Sequence, residues 1–308
     1  MINVDIELKV CYYTVVRIKN IGVKNMDNLL QISKTEIDIG LSKEYRFFQI
    51  SDAHMANIDE QSSDVDHDEY KRSHGQWDTL KIDMAKDAGE FCDDRYNVEA
   101  NVLFEKLARY ALDFGADALI LSGDIMDRVS ESNIRYLKKF KSEYKIPVIY
   151  CPGNHAYTDE YGNHNKKMYE RFVGLIDNPD FDIYDYGELE IITVDNGTKQ
   201  ITKDQIKKLK IELEKEKKLI LVLHAPLNIG KFGEEARRSL NSYFLMPANG
   251  DCEESFEFTR LVEENSEKFI CVLAGHIHRT MEYPITDKLM QYTTSSALIG
   301  YGREIIIK

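Results

Sequence analysis

Eight side chains able to bind a metal ion stand at the ends of five apolar runs in this 308-residue chain. Phe47 to Ile50 leads into Asp52 and His54, Ala118 to Leu121 into Asp124, and Pro147 to Tyr150 into Asn154 and His155. Leu219 to Leu223 ends at His224, and Phe269 to Leu273 ends at His276 and His278. Imidazole nitrogen mixed with carboxylate and amide oxygen, without thiolate, is a donor set for Mn²⁺, Fe or Zn²⁺. Asp52, His54, Asp124, Asn154, His224, His276 and His278 are too many donors for one such ion. Two ions sharing a carboxylate use them all, and Asp124, from the central run, is the natural bridge; His155 is left over. In an extended segment, residues two apart point the same way, so Asp52 with His54 and His276 with His278 are predicted to present paired groups. Gly123, Gly153 and Gly275 are expected to let the backbone turn just before each donor.

Each residue alone has an ordinary explanation. His224, ahead of Ala225-Pro226, reads as a structural or surface histidine, and Asp127-Arg128 as a surface ion pair. Jointly the pattern weighs the other way, because five of the eight histidines follow apolar runs. His67, His74 and His164 read as exposed loop residues, and Arg237 with Arg238 as an exposed helix face.

The elements that must position these donors follow from periodicity. Leu103, Leu107, Ala111 and Phe114 recur at helical steps, with Asn97 as a cap and Gly115 suited to the end. A second stripe, Ile134, Leu137, Phe140 and Tyr144, stops before Pro147. Thr202-Lys-Asp-Gln205 makes a capping box ahead of Ile206, Leu209 and Leu213, and another helix is expected around Glu253 to Asn265. Strands are expected within 181–194, 289–294 and 304–307, and a loop near the site over 227–250. Strand-helix-strand units imply a layered α/β sheet with helices outside.

Two regions stand apart. Residues 1–45 alternate in places and predict a β-rich appendage of two or three strands, with turns near Asn20 to Gly22 and Lys24 to Asp27. It could extend a sheet of the main domain, 46–308, or cover a surface in an oligomer. Residues 56–97 form an acidic insertion with 12 Asp and Glu against 5 Lys and Arg. Asp64, Asp66 and Asp68 resemble the start of a calcium loop, but Glu69 stands where that loop needs its glycine and no Glu follows at its twelfth position. The insertion therefore reads as a solvated acidic loop followed by a helix near Trp77 to Ala88, with a lid over the site as the alternative.

Composition sets further bounds. The 43% hydrophobic content suits a globular protein, and no run approaches the ~20 apolar residues of a membrane span. Met1 to Glu7 lacks the regions of a signal peptide, so a cytoplasmic location is expected. Five scattered cysteines without a CxxC pair predict neither disulfides nor a thiolate zinc site. A net charge of -13 disfavours a partner bound through many phosphates, such as nucleic acid, but permits a small anionic substrate at a cationic metal centre.

The series Asp52-x-His54, Gly123-Asp124-x-x-Asp127-Arg128, Gly153-Asn154-His155, His224 and Gly275-His276-x-His278 resembles, in order, the motif set of the calcineurin-like metallophosphoesterases. The resemblance covers roughly residues 46–302. It implies a four-layer αββα sandwich and a two-metal centre that hydrolyses phosphate esters by in-line attack of a metal-bridging hydroxide. By that likeness Asp52, His54, Asp124 and His278 would hold one ion, and Asp124, Asn154, His224 and His276 the other. His155 would act at the leaving oxygen, Asp127 would support it, and Arg128 would bind phosphate. The substrate would be a small phosphomonoester or phosphodiester. Ala156 replaces the family's usual acidic residue after Asn-His, and the insertion before Asp124 is long. Two alternatives remain open at this level: a non-catalytic scaffold of the same fold that binds a protein, and a nuclease using the same centre.

Overall fold

The apolar runs become strands because they alternate between two buried faces. In the computed structural model, which describes residues 29–308 apart from 88–97, 160–162, 164 and 174, the strands are β1 (Gln31–Ile37), β2 (Tyr45–Ile50), β3 (Ala118–Ser122), β4 (Val148–Cys151), β5 (Phe181–Asp185), β6 (Leu189–Val194), β7 (Lys218–Val222), β8 (Phe269–Ala274), β9 (Met281–Thr286), β10 (Leu289–Thr293) and β11 (Tyr301–Ile307). The helices are α1 (Asp64–Asp87), α2 (Ala100–Phe114), α3 (Glu131–Glu143), α4 (Lys166–Val173), α5 (Lys203–Glu214), α6 (Gly230–Ser239) and α7 (Glu253–Glu264). One sheet has the order β1-β11-β2-β3-β4 and the other β5-β6-β7-β8-β10-β9.

Within β3, Leu119 and Leu121 pack outward with Phe104 and Leu107 of α2 and Leu137 of α3, while Ala118 and Ile120 face the second sheet. Within β7, Leu219 and Leu221 meet Leu209 of α5, Phe232 of α6 and Phe258 of α7, while Ile220 and Val222 face the first sheet. Strands buried on both faces need apolar residues at every position, which is why they read as continuous runs. The result is an α/β four-layer αββα sandwich.

β1 is the edge strand of the first sheet, parallel to β11 with Gln31 opposite Tyr301, so the described part of the segment ahead of residue 46 extends a sheet of the main domain, one of the two roles the sequence offered for it. Its partner is the far end of the chain, which no local pattern announces. Several elements depart from the sequence reading. α1 begins at Asp64, well before Trp77, because Ser63 and Asp66 cap each other's backbone N–H at 2.8 and 3.2 Å. α6 replaces part of the loop expected over 227–250. Two glycines in ten residues disfavour that helix, and burial of Phe232 and Ala236 outweighs them. α2 starts at Ala100 with Glu99 at the cap position. Asn97, His164 and the turns expected near Asn20 and Lys24 lie outside the described residues. Among the described residues, no helix is long and apolar enough to cross a membrane.

Candidate metal centre

β2, β3 and β4 run parallel in one sheet, and β7 and β8 run parallel in the other, so the segments after their carboxyl ends can meet. Gln49 sets how they meet. Its buried amide donates to Ser122 Oγ at 2.8 Å in the first sheet and to the Ala274 carbonyl at 3.0 Å in the second, and accepts from Thr294 Oγ1 at 2.7 Å. Asn196 Oδ1 accepts from the backbone N–H of His224 at 2.9 Å and of Ala225 at 3.0 Å, which fixes the turn after β7.

The paired donors are not presented by extended backbone. Asp52, His54, Asp124, His276 and His278 all have left-handed φ, between 45 and 68°, and among the described residues only Lys199 joins them outside glycine. Extended geometry would separate Asp52 from His54 by a full pleat repeat, whereas two left-handed residues curl the chain so that both side chains reach one point. Such backbone costs about 1–3 kcal/mol per residue and persists where surrounding structure holds it. Of the three glycines, only Gly123 is left-handed, at 94°. Gly153 and Gly275 serve close approach instead: a Cβ would lie 2.2 Å from Asp124 Oδ1 at the former and 1.7 Å from Ser51 Oγ at the latter.

Two clusters result, with Asp124 between them. In the first, His54 Nε2 lies 3.1 Å from His278 Nε2 and 4.0 Å from Asp52 Oδ1, which is 3.3 Å from His278 Nε2. In the second, His224 Nε2 is surrounded by Asp124 Oδ2 at 3.0 Å, Asn154 Oδ1 at 3.0 Å and His276 Nδ1 at 3.2 Å. All seven predicted donors are thus brought together. His224 Nδ1 lies 2.9 Å from the Ser122 carbonyl, which can only accept, so that nitrogen carries a proton and Nε2 is turned inward. Potential ligand atoms from four residues then converge, and with the His224 ring neutral a cation would satisfy them together.

The electrostatics point the same way. Burial opposes charge on His224, yet the Asp124 and Asp52 carboxylates outweigh it and raise the ring to about 9. For His155, burial is likewise outweighed by Asp124 and Asp127, again to about 9. Burial lowers His54 to about 4, and burial with His224 alongside lowers His276 to about 3. At His224 and His155 the carboxylates attract positive charge more strongly than burial repels it, whereas at His54 and His276 burial prevails.

A family model, calcineurin-like phosphoesterase, matches residues 45–280. The chain belongs to the calcineurin-like phosphoesterase family. A probable cyclic nucleotide phosphodiesterase from Fibrobacter succinogenes is 26% identical over 231 residues, covering 71% of this chain and 80% of that relative. In fold, the chain is similar to a dimetal phosphatase from Danio rerio, with a TM-score of 0.52, 11% identity, and coverage of 82% of this chain and 88% of that one.

This phosphoesterase supports His155 from one side only. Ala156 offers no carboxylate, and His155 Nδ1 meets the Asp127 carbonyl at 2.5 Å and Asp127 Oδ1 at 3.2 Å. Its backbone N–H donates to Asp124 Oδ1 at 2.9 Å, and its Nε2 is 4.0 Å from Asp124 Oδ2. Arg128 is buried, with Nε 3.6 Å from Asp127 Oδ2. His67 is exposed, His74 packs edge-on against Tyr70, and Arg237 and Arg238 lie on the exposed side of α6 bonded to Asn228 and Glu235.

The acidic insertion, read from sequence chiefly as solvated, reaches this centre. Trp77 of α1 stacks on His54 and bonds Asp127, and Glu69 is fully buried near Asp127 and Arg128. Sequence reasoning missed Trp77 as a site residue; its being the only tryptophan, set in a polar insertion, was the available signal. Neither carboxylate oxygen of Glu69 has a hydrogen-bond partner, and burial, reinforced by Asp127, raises it from its ordinary 4.5 to about 8. The fold favours the protonated form, so the stability associated with it is complete below pH 4.5 and is lost as the pH climbs through 8. Glu69→Gln should match the parent near pH 4.5 and exceed it by on the order of 3 kcal/mol above pH 8. Urea unfolding at the two pH values checks this, and equal stability at the higher pH contradicts it.

Proposed function

We propose that this phosphoesterase uses two divalent transition-metal ions, Mn, Fe or Zn, to hydrolyse a small phosphodiester or phosphomonoester. The observation that carries the reading is Asp124, buried and shared by two of three adjoining groups of potential ligand atoms, with His54 and His155 on one side and His224 and His276 on the other. Asp52, His54, Asp124 and His278 would hold one ion, and Asp124, Asn154, His224 and His276 the other. When bound, such a pair supplies Lewis-acid activation of water and neutralises the charge that builds on the phosphoryl oxygens during in-line displacement.

The remaining work falls to this chain's own groups. With Nδ1 held at the Asp127 carbonyl, His155 has Nε2 left to deliver a proton to the leaving oxygen, and the flanking carboxylates keep the ring protonated near neutral pH. Asp127 orients that ring. Arg128 adds a permanent positive charge beside it, which suits an anionic substrate.

The test is direct. Protein loaded with Mn²⁺ should hold close to two ions per chain and cleave p-nitrophenyl phosphate or its bis ester. A protein that takes up no ions overturns the reading in favour of a non-catalytic scaffold.

The finer reading is a nucleoside phosphate, cyclic forms included. The likeness to the probable cyclic nucleotide phosphodiesterase of Fibrobacter succinogenes is one support. A second is an aromatic shelf at the second cluster: Phe244, part of a 3₁₀ turn (Ser242–Phe244), is exposed with its ring 5.8 Å from that of His276, and Tyr243 lies edge-on to it at 6.1 Å. Stacking of a base on one aromatic ring is worth about 1–3 kcal/mol. Phe244→Ala should therefore raise KM for a cyclic nucleotide by roughly 5- to 100-fold and leave KM for glycerol phosphate unchanged. Steady-state kinetics on both substrates checks this, and an equal change for the two removes the shelf from recognition.

A further inference from the structure

α1 is amphipathic with an unusual sign. Asp66, Glu69, Ser73, Trp77 and Lys81 recur at steps of three and four residues and are all buried, so among the helix residues whose side chains are described this stripe is polar apart from one indole. The stripe is anchored at its ends: Asp66 Oδ1 accepts from Ser132 Oγ at 3.2 Å, and Lys81 Nζ donates to the Val98 carbonyl at 2.7 Å. Between them Trp77 Nε1–H donates to Asp127 Oδ1 at 2.8 Å, and its ring stacks over His54 with centroids 4.0 Å apart and planes at 29°. That same oxygen of Asp127 lies 3.2 Å from His155 Nδ1 and 3.7 Å from His54 Nδ1. Asp127 Oδ2 accepts no hydrogen bond.

We infer that Trp77 is a positioning residue of the active centre, acting through Asp127 on His155. A carboxylate oriented through one of its two oxygens can rotate or exchange them when that oxygen loses its strongest donor. The indole N–H is a fixed, neutral donor held by a ring that cannot move without leaving His54, so it keeps Oδ1 where His155 needs it. The acidic insertion is then a working part of the centre. The inference rests on the reading of His155 as the proton donor.

The single tryptophan makes the test clean, because one indole resonance and one substitution address the contact. Trp77→Phe keeps a ring over His54 and removes the N–H. It should lower kcat about tenfold, leave KM within about twofold and leave the bound metal unchanged. In Asp127→Ala, which removes the acceptor, the further change Trp77→Phe should have no added effect on kcat, because the two act as one unit. The indole N–H cross-peak of the unaltered protein should lie downfield and move in Asp127→Ala, a measurement that needs no substitution at Trp77. Losses that multiply in the double variant, or an indole resonance indifferent to Asp127→Ala, overturn the inference. A protein that binds metal and cleaves no phosphate ester fails the proposed function instead, and the indole resonance still decides the Trp77–Asp127 contact.

Discussion

Asp124→Asn is expected to lower kcat/KM by at least about 10⁴-fold, roughly 5.5 kcal/mol of transition-state stabilisation, and to reduce bound metal from about two ions per chain to fewer than one. The side chain is buried, and each of its oxygens has a separate task. Oδ2 faces His224 Nε2 at 3.0 Å in the second cluster, and Oδ1 accepts from the His155 backbone at 2.9 Å. Asparagine has the same shape, so packing against Gly153 survives, but it removes a full negative charge and sets an N–H₂ either against the His155 N–H or into the second cluster beside His224 Nε2. His54→Ala contrasts with it, because His54 belongs to the first cluster alone and its loss should mainly weaken one ion. Elemental analysis of the purified variants, read beside steady-state rates, separates the two cases. Retention of both ions and activity within tenfold of the parent in Asp124→Asn would sink the bridging role.

His155→Asn should leave both ions in place while kcat falls by about 10²- to 10³-fold for substrates with alkyl leaving groups. An alkoxide leaving from phosphorus needs a proton, and His155 has Nδ1 bound to the Asp127 carbonyl at 2.5 Å with Nε2 left to give one. A p-nitrophenolate leaves without that help, so the loss on p-nitrophenyl phosphate should shrink to about tenfold or less. The ratio between substrates is the telling measurement: an equal loss on both would assign His155 to binding the phosphoryl group and not to proton transfer.

How much of this was legible beforehand varies with the range of the interaction that decides it. Strands ending at Asp52, Asp124, Asn154, His224 and His276 could be read because doubly buried strands must be apolar throughout, which is a local property. The capping box at Thr202 and Gln205 was legible for the same reason, and both its bonds are present. The left-handed backbone at five donors was not, since these residues take that conformation only under constraint from the two joined sheets. Gln49 and Asn196 were also silent, as a buried amide announces itself only when its distant partners are known.

The sequence by itself determined which side chains can hold metal, the order in which strands deliver them, and the family resemblance that follows. Local periodicity and residue chemistry suffice for those. The tertiary structure alone decided where β1 pairs, that potential ligand atoms from four residues meet at His224 Nε2, and that the insertion reaches the centre. The last case shows the reason most clearly. Asp66, Glu69, Ser73 and Lys81 read as a solvated face on any hydrophobic pattern, and they are buried because Ser132 and the Val98 carbonyl wait for the ends of the stripe while Asp127 receives the indole of Trp77.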